Sequence, residues 1–585
     1  MKEALCTIAS ALFLAASSCL ATVWPSDGTE TGHNYPGGSV QWVHDNQAQN
    51  GDTITLPSGT FSYTRPLNIA KGITLQGQSM TYQTGYVWFN SAYANDQTII
   101  LDDSTDGRLI SMSLLPTQSG RITGITFRPG TTRNTVPNHA PVTLVGSQAQ
   151  NQNIRIDHCH FDHLISHNVF AYNVLGLADH NLHEAGAHAF SYYFENGNWG
   201  GESNGNGSWA DYPYYGSDLF FFVEDCTIRG LPAPDVGGGC DAMNGARYVF
   251  RWNHWENAHQ ENHGTESSFV RGTRNRMLYH NRFNLAIGSQ GAFIGAQRSG
   301  GAIIHDNETT GARPTTYPSL GDPAVFRENT RATAWGFAQG SNPWDVNVNG
   351  GQLFESGTAT SGSVMGVVED TTKHWATNRW NGYSITDLDA PHPFNGSVIT
   401  ANTARKITYK QNDEPDVPRD QRHNILPTHR YEIHKIDTAL DQGGVGKGDL
   451  IREVNINGVD VPKNTTCNCK QWPHQQSEPL FEWNNTNYDG SPSVWPAVTD
   501  SYPSEHQGRD YFDLGINIPV GTIPAQVTSA YPASVNGGSA YTQDLIYPHP
   551  LQGAGNPTPT PTPTPMPSAT PTPTGTPTAT PTATP

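Results

Sequence analysis

Arg271, Arg274 and Arg276 fall within six residues of one another in a chain whose formal charge is −19. So local a reversal of sign suits a carboxylate or sulfate ligand. Just upstream, Asn262-His263-Gly264-Thr265-Glu266 places a histidine and a carboxylate around a permissive glycine. Further back, Arg251 could hold a uronate carboxylate through two parallel hydrogen bonds. Tyr279 could exchange protons with the sugar ring and the leaving oxygen. Arg251 or Arg271, with His263 or Tyr279, would therefore support β-elimination. Asp241 paired with Glu266 or Glu224 would instead support hydrolysis, which in its inverting form needs carboxyl groups ~6.5–9.5 Å apart. Arg274, Arg276 and His305 would bind substrate. Trp199, Trp209 and Tyr214, in a Gly- and aromatic-rich stretch, would stack on sugar rings.

Asp157, Asp179 and Glu224 supply oxygen ligands of the kind Ca²⁺ takes. His158, His160, His163 and His167 crowd one strand and turn, but alternation sends only His158 and His160 to a common side, so a zinc set is the weaker reading.

These residues lie far apart in the chain, so repeated elements must bring them together. One motif recurs: an apolar run, a polar residue, then Asn or Cys, then an aromatic or apolar residue. It reads Ile154-Arg155-Ile156-Asp157-His158-Cys159, then Phe222-Val223-Glu224-Asp225-Cys226, Val249-Phe250-Arg251-Trp252-Asn253, Met277-Leu278-Tyr279-His280-Asn281 and Ile303-Ile304-His305-Asp306-Asn307. Cys226, Asn253, Asn281 and Asn307 are separated by 27, 28 and 26 residues, and Cys159 is 22 from Asn181. Strand-length runs at such a period describe a solenoid of β coils. Asn at one position per coil can bond its own turn and the Asn of the next coil, ~4.8 Å away. Two positions before it, Asp157, Asp179, Glu224, Arg251, Tyr279 and His305 form an outward column. Val223, Phe250, Leu278 and Ile304 face the core.

Gly51-Asp52-Thr53-Ile54-Thr55-Leu56-Pro57-Ser58-Gly59-Thr60-Phe61, with Gly72-Ile73-Thr74-Leu75-Gln76-Gly77 and Ile154 to Cys159, resembles pectate-lyase-like right-handed parallel β-helix proteins over roughly residues 38 to 345. Residues 197–218, 240–253, 262–274 and 478–486, with Ile546-Tyr547-Pro548-His549-Pro550-Leu551, resemble a narrower group of secreted bacterial β-helix proteins. The resemblance implies a fold rather than an activity. In chondroitinase-B-like and alginate-lyase-like helices an Arg precedes the His-Gly pair and a Lys base lies upstream. Here Asn262 stands in the first place, and no Lys occurs between Lys71 and Lys373.

Composition narrows the class. Lys and Arg number 33 against 52 Asp and Glu, which argues against nucleic-acid binding. Charged residues are 15%, while 59 Gly, 14 Trp and 23 Tyr favour strands and turns over helices. Residues 1–21 read as a signal peptide, and no later run is long enough to span a membrane. Residues 557–585 alternate Pro and Thr and read as an extended tail. The expectation is an all-β protein with a right-handed parallel β-helix over 22–350. A β/loop decoration and closing segment would occupy 351–556. The protein would be secreted or held at a bacterial cell surface as a monomer. It would act on an extracellular polysaccharide, foremost as a uronate-specific lyase, otherwise as a hydrolase of the same fold or a non-catalytic binding solenoid.

Overall fold

The computed structural model describes residues 21–30, 38–81, 94–105, 108–131, 140–146, 151–165, 167–185, 190–197, 208, 211–230, 237–262, 273–285, 294–297, 300–311, 353–381, 383–389, 396–409, 425–434, 479–487, 490–492, 508 and 511–553. The expected signal peptide, except for Ala21, and the Pro/Thr tail lie outside them.

Three parallel sheets of 12, 10 and 8 strands run along one axis, each strand pairing with its equivalent in the coils before and after. In the first sheet, Phe221–Glu224 pairs with Arg247–Arg251, which pairs with Asn275–Tyr279 and then Gly301–His305. The registers Val223↔Phe250 and Phe250↔Leu278 stack the expected interior column, continued by Ile304. The chain is a parallel β-helix, and its interior is one apolar cluster shared by the coils.

From Gly124 onward, the corner between the first and second sheets repeats from coil to coil. Its first residue is left-handed: His158, His180, Asp225, Trp252, His280, Asp306 and Asn484 have φ between 53 and 59°, and Gly124 has φ 68°. Such a turn points backbone amides and carbonyls into the interior, where each needs a partner. The next residue supplies it. Asn281 Oδ1 accepts from the backbone N–H and the side-chain amide of Asn253 at 3.1 and 3.0 Å. Its Nδ2 donates to Phe250 O at 2.9 Å and Asn307 Oδ1 at 3.0 Å. Cys159 and Cys226 take the same position as buried thiols, and Cys226 N–H donates to Asn253 Oδ1 at 3.0 Å. Cys467 and Cys469 lie outside the described residues.

The coil stack does not stop at residue 350. Leu480–Trp483 pairs in parallel with Gly301–His305, and Tyr511–Asp513 adds the twelfth strand. Asn307 Nδ2 donates to Asn485 Oδ1 at 3.0 Å, so the ladder continues across a sequence separation of 178. Within that insertion, the described strands between Leu353 and His434 form a six-stranded antiparallel sheet around Val368, Trp380, Ile385, Ile399, Ile407, Tyr431 and Ile433.

The first sheet is buried on its outer face as well. Leu177, Phe222, Val249, Met277, Ile303 and Phe481 point away from the interior and pack under Ile523, Val527, Tyr531 and Tyr541. Continuous apolar runs such as Phe220-Phe221-Phe222-Val223 are what a strand covered on both sides requires.

Asn281→Ala removes acceptor and donors in one step and strands buried backbone groups above and below. It is expected to lower unfolding free energy by roughly 2–4 kcal/mol, read as a shifted denaturation midpoint. An unchanged midpoint would show that the ladder does not hold the coils in register.

Candidate functional site

The column two positions before the ladder is real, but it is not open. Asp157, Asp179, Glu224, Arg251, Tyr279 and His305 are all buried. Arg121 Nε and Nη2 donate to Asp157 at 2.7 and 2.6 Å, and Arg155 does the same to Asp179 at 2.7 Å through each nitrogen. Arg251 Nε donates to Glu224 Oε2 at 2.6 Å and its Nη1 to Tyr279 Oη at 3.1 Å. The three carboxylates expected to hold Ca²⁺ are thus arginine partners. Burial opposes ionisation of Asp157, yet Arg121 and Arg155 hold it well below the usual carboxylate range. For Glu224 burial prevails over Arg251, and its carboxyl is raised to about 7.

The C-terminal chain closes this column. Arg251 donates to the carbonyls of Leu545 and Ile546 at 2.6 and 3.0 Å, and Arg155 to those of Leu551 and Gln552 at 3.2 and 3.3 Å. His549 N–H and Gln552 Nε2 donate to Glu224 Oε1 at 2.8 and 2.7 Å. Tyr547 donates to Asp225 at 2.6 Å and lies on the Arg251 guanidinium. His305 is sandwiched between Tyr279 and Trp483, with Nδ1 2.8 Å from Asp306 and Nε2 3.5 Å from Asp544.

The remaining expected residues disperse. Arg276 shares its strand parity with Leu278, so it turns into the helix interior rather than toward a ligand, and burial lowers its pKa. Arg274 is buried and donates to Asp211 O at 2.8 Å. Asp241 sits buried on the third sheet between the core residues Cys240 and Ala242, whereas Glu224 is on the first. Tyr214 is half-buried, donating to Asp211 at 3.2 Å and lying against Arg247. His263, Glu266, Arg271, Trp199 and Trp209 lie outside the described residues.

A second polar column, three positions after the ladder, lies on the second sheet. Arg128, Asp162, Glu184, Arg229 and Glu256 are in register on five successive strands, Thr126–Pro129, His160–Leu164, Leu182–Ala185, Thr227–Arg229 and His254–Glu256. All five are half-exposed. Arg128 bridges Asp162 and Asp96, the latter at 2.6 Å. Arg229 bridges Glu184 at 2.8 Å and Glu256 at 2.9 Å. In the neighbouring column, one position after the ladder, Arg282 meets Glu308 at 3.0 Å. Beneath them His160 spans Asp96 Oδ1 at 2.9 Å and Glu184 Oε2 at 3.0 Å. Burial disfavours its charge, but the two carboxylates raise its pKa to about 9. Glu184 is held below the ordinary glutamate value, chiefly by its bond to His160, whereas burial raises Glu256. The rule that located the first column, a fixed offset from the Asn or Cys, also locates this one. The sequence reading applied it on only one side of the ladder.

No family model matches the chain, and no curated protein matches it. Solved structures that align with it include two phage proteins. ORF18 of Geobacillus virus E2 is 11% identical, with 69% of this chain and 78% of that one covered and a TM-score of 0.23. A tailspike protein mutant of E. coli bacteriophage HK620 is also 11% identical, covering 68% and 88%, with a TM-score of 0.25. The strand pairing itself defines the class here, an all-β parallel β-helix. Among the described residues no helix is long and apolar enough to cross a membrane.

Through Asp544, His305 links the stability of the C-terminal covering segment to pH. Burial disfavours its charge, but Asp544 and Asp306 raise its folded pKa to about 9 from 6.5. Its contribution is therefore complete below pH 6.5 and disappears as pH rises through 9. Unfolding free energy should fall over that interval by roughly 2–3 kcal/mol. His305→Gln should flatten this slope in denaturant titrations at stepped pH.

Proposed function

We propose that the protein is an extracellular carbohydrate-binding solenoid that holds an extended, uronate-bearing polysaccharide along the second sheet. The observation that carries this reading is the half-exposed column from Arg128 to Glu256, set at the ~4.8 Å strand step and parallel to the helix axis. Guanidinium groups suit sugar carboxylates, and carboxylates suit sugar hydroxyls. Both kinds are already oriented by their neighbours, so little side-chain freedom is lost on binding. Elimination through Arg251 and Tyr279 finds no support in their placement, because both are sealed beneath residues 541–553. Export fits the apolar run near the N-terminus.

Calorimetry against pectate, alginate, chondroitin and glucuronan tests the reading. The chain should bind at least one of them, and Arg229→Ala should weaken that complex about tenfold or more while leaving the melting curve in place. Binding that ignores Arg229→Ala, or no binding to any acidic glycan, would remove the proposal. Ultraviolet absorbance from an unsaturated uronate product would replace it with a lyase.

A further inference from the structure

Asp162 and Glu184 face each other across adjacent strands of the second sheet, and directly after them the register slips. Asp162 pairs with Glu184 and Leu164 with Ala185, which leaves His163 as an extra residue on its strand. His163 adopts φ 53°, a conformation an L side chain takes at some cost. Regular alternation would turn His163 inward. The bulge gives that interior place to Leu164, which joins the core, and keeps His163 outside, its side chain 62% exposed. As a result one ligand atom each from Asp162, His163 and Glu184 lie within 4.8 Å of one another.

We propose that Asp162, His163 and Glu184 form a binding site for a divalent transition metal of the zinc type. One imidazole with two carboxylates is a ligand set for such ions, whereas Ca²⁺ takes oxygen alone. The carboxylates are oriented from behind. Arg128 holds Asp162 Oδ2, while Arg229 holds Glu184 Oε1 at 2.8 Å and His160 its Oε2 at 3.0 Å; an ion would take the remaining lone pairs and replace the 2.5 Å bond between His163 Nδ1 and Asp162 Oδ1. Arg128, Arg229 and His160 are shared among four carboxylates, Asp96, Asp162, Glu184 and Glu256, so one negative charge is left over for a cation. Three protein ligands leave coordination positions toward solvent, so the ion would be open to an exogenous oxygen ligand.

The site shares Asp162 and Glu184 with the proposed glycan column, but metal uptake is measured separately. The full chain, stripped with chelator, is titrated with Zn²⁺ by calorimetry and with Co²⁺ by visible absorption. Wild type should take up an equivalent that His163→Ala binds at least about tenfold more weakly, with loss of the corresponding Co²⁺ band. Far-UV circular dichroism should be unchanged, because His163 contributes no core packing. Glu184→Gln should weaken the same equivalent. The proposal falls if wild type binds no Zn²⁺, or if His163→Ala binds as wild type does. Metal binding without glycan binding would count against the preceding section alone.

Discussion

The stacking of coils depends on one requirement: a left-handed corner buries backbone N–H and C=O groups that no strand can satisfy. A carboxamide at the next position meets it, accepting from one neighbouring coil and donating to another. Since each Asn serves its neighbours, the coils cannot slip independently. The bond from Asn307 to Asn485 shows how local this rule is. An insertion of any length can enter between two coils if it leaves the chain at the ladder again, because loop-closure cost grows only with the logarithm of length. The antiparallel sheet between Leu353 and His434 keeps its own core and requires nothing from the ladder.

The two polar columns flanking that ladder have similar chemistry and opposite fates. On the first sheet, arginines and carboxylates are sealed under the C-terminal chain, where an unpaired charge would cost several kcal/mol. Every one of Asp157, Asp179 and Glu224 accordingly meets a guanidinium, and the spare guanidinium donors of Arg155 and Arg251 go to backbone carbonyls of the covering segment. Those directional bonds fix where residues 541–553 lie against the apolar face. On the second sheet the same pairing is half solvated, so the groups are ordered yet still reachable by a ligand.

Much of this was legible in residue spacing. The ladder, the interior column and the outward column follow from the recurrence of Asn and Cys together with strand alternation. The same arithmetic, carried three positions past the ladder, reaches Asp162, Glu184, Arg229 and Glu256. Parity also turns Arg276 inward with Leu278, against a reading that aimed it at a substrate. Leu480-Phe481-Glu482-Trp483-Asn484-Asn485 repeats the coil motif, but its distance from Asn307 obscures the period. His163 is different, since alternation alone sends it to the core and only the bulge returns it to the surface.

By itself the sequence determined the coil, because that pattern depends on near neighbours: a turn, an amide, an alternation of apolar and polar side chains. It also held a warning in the unbroken run Phe220 to Val223, whose outer residues need a cover. Which segment provides the cover was decided in three dimensions. Residues 541–553 meet Glu224 and Arg251 across roughly 300 positions, and no periodicity links them. Burial, and with it the choice between a charge that binds a ligand and a charge that fastens the chain to itself, is a property of that long-range contact.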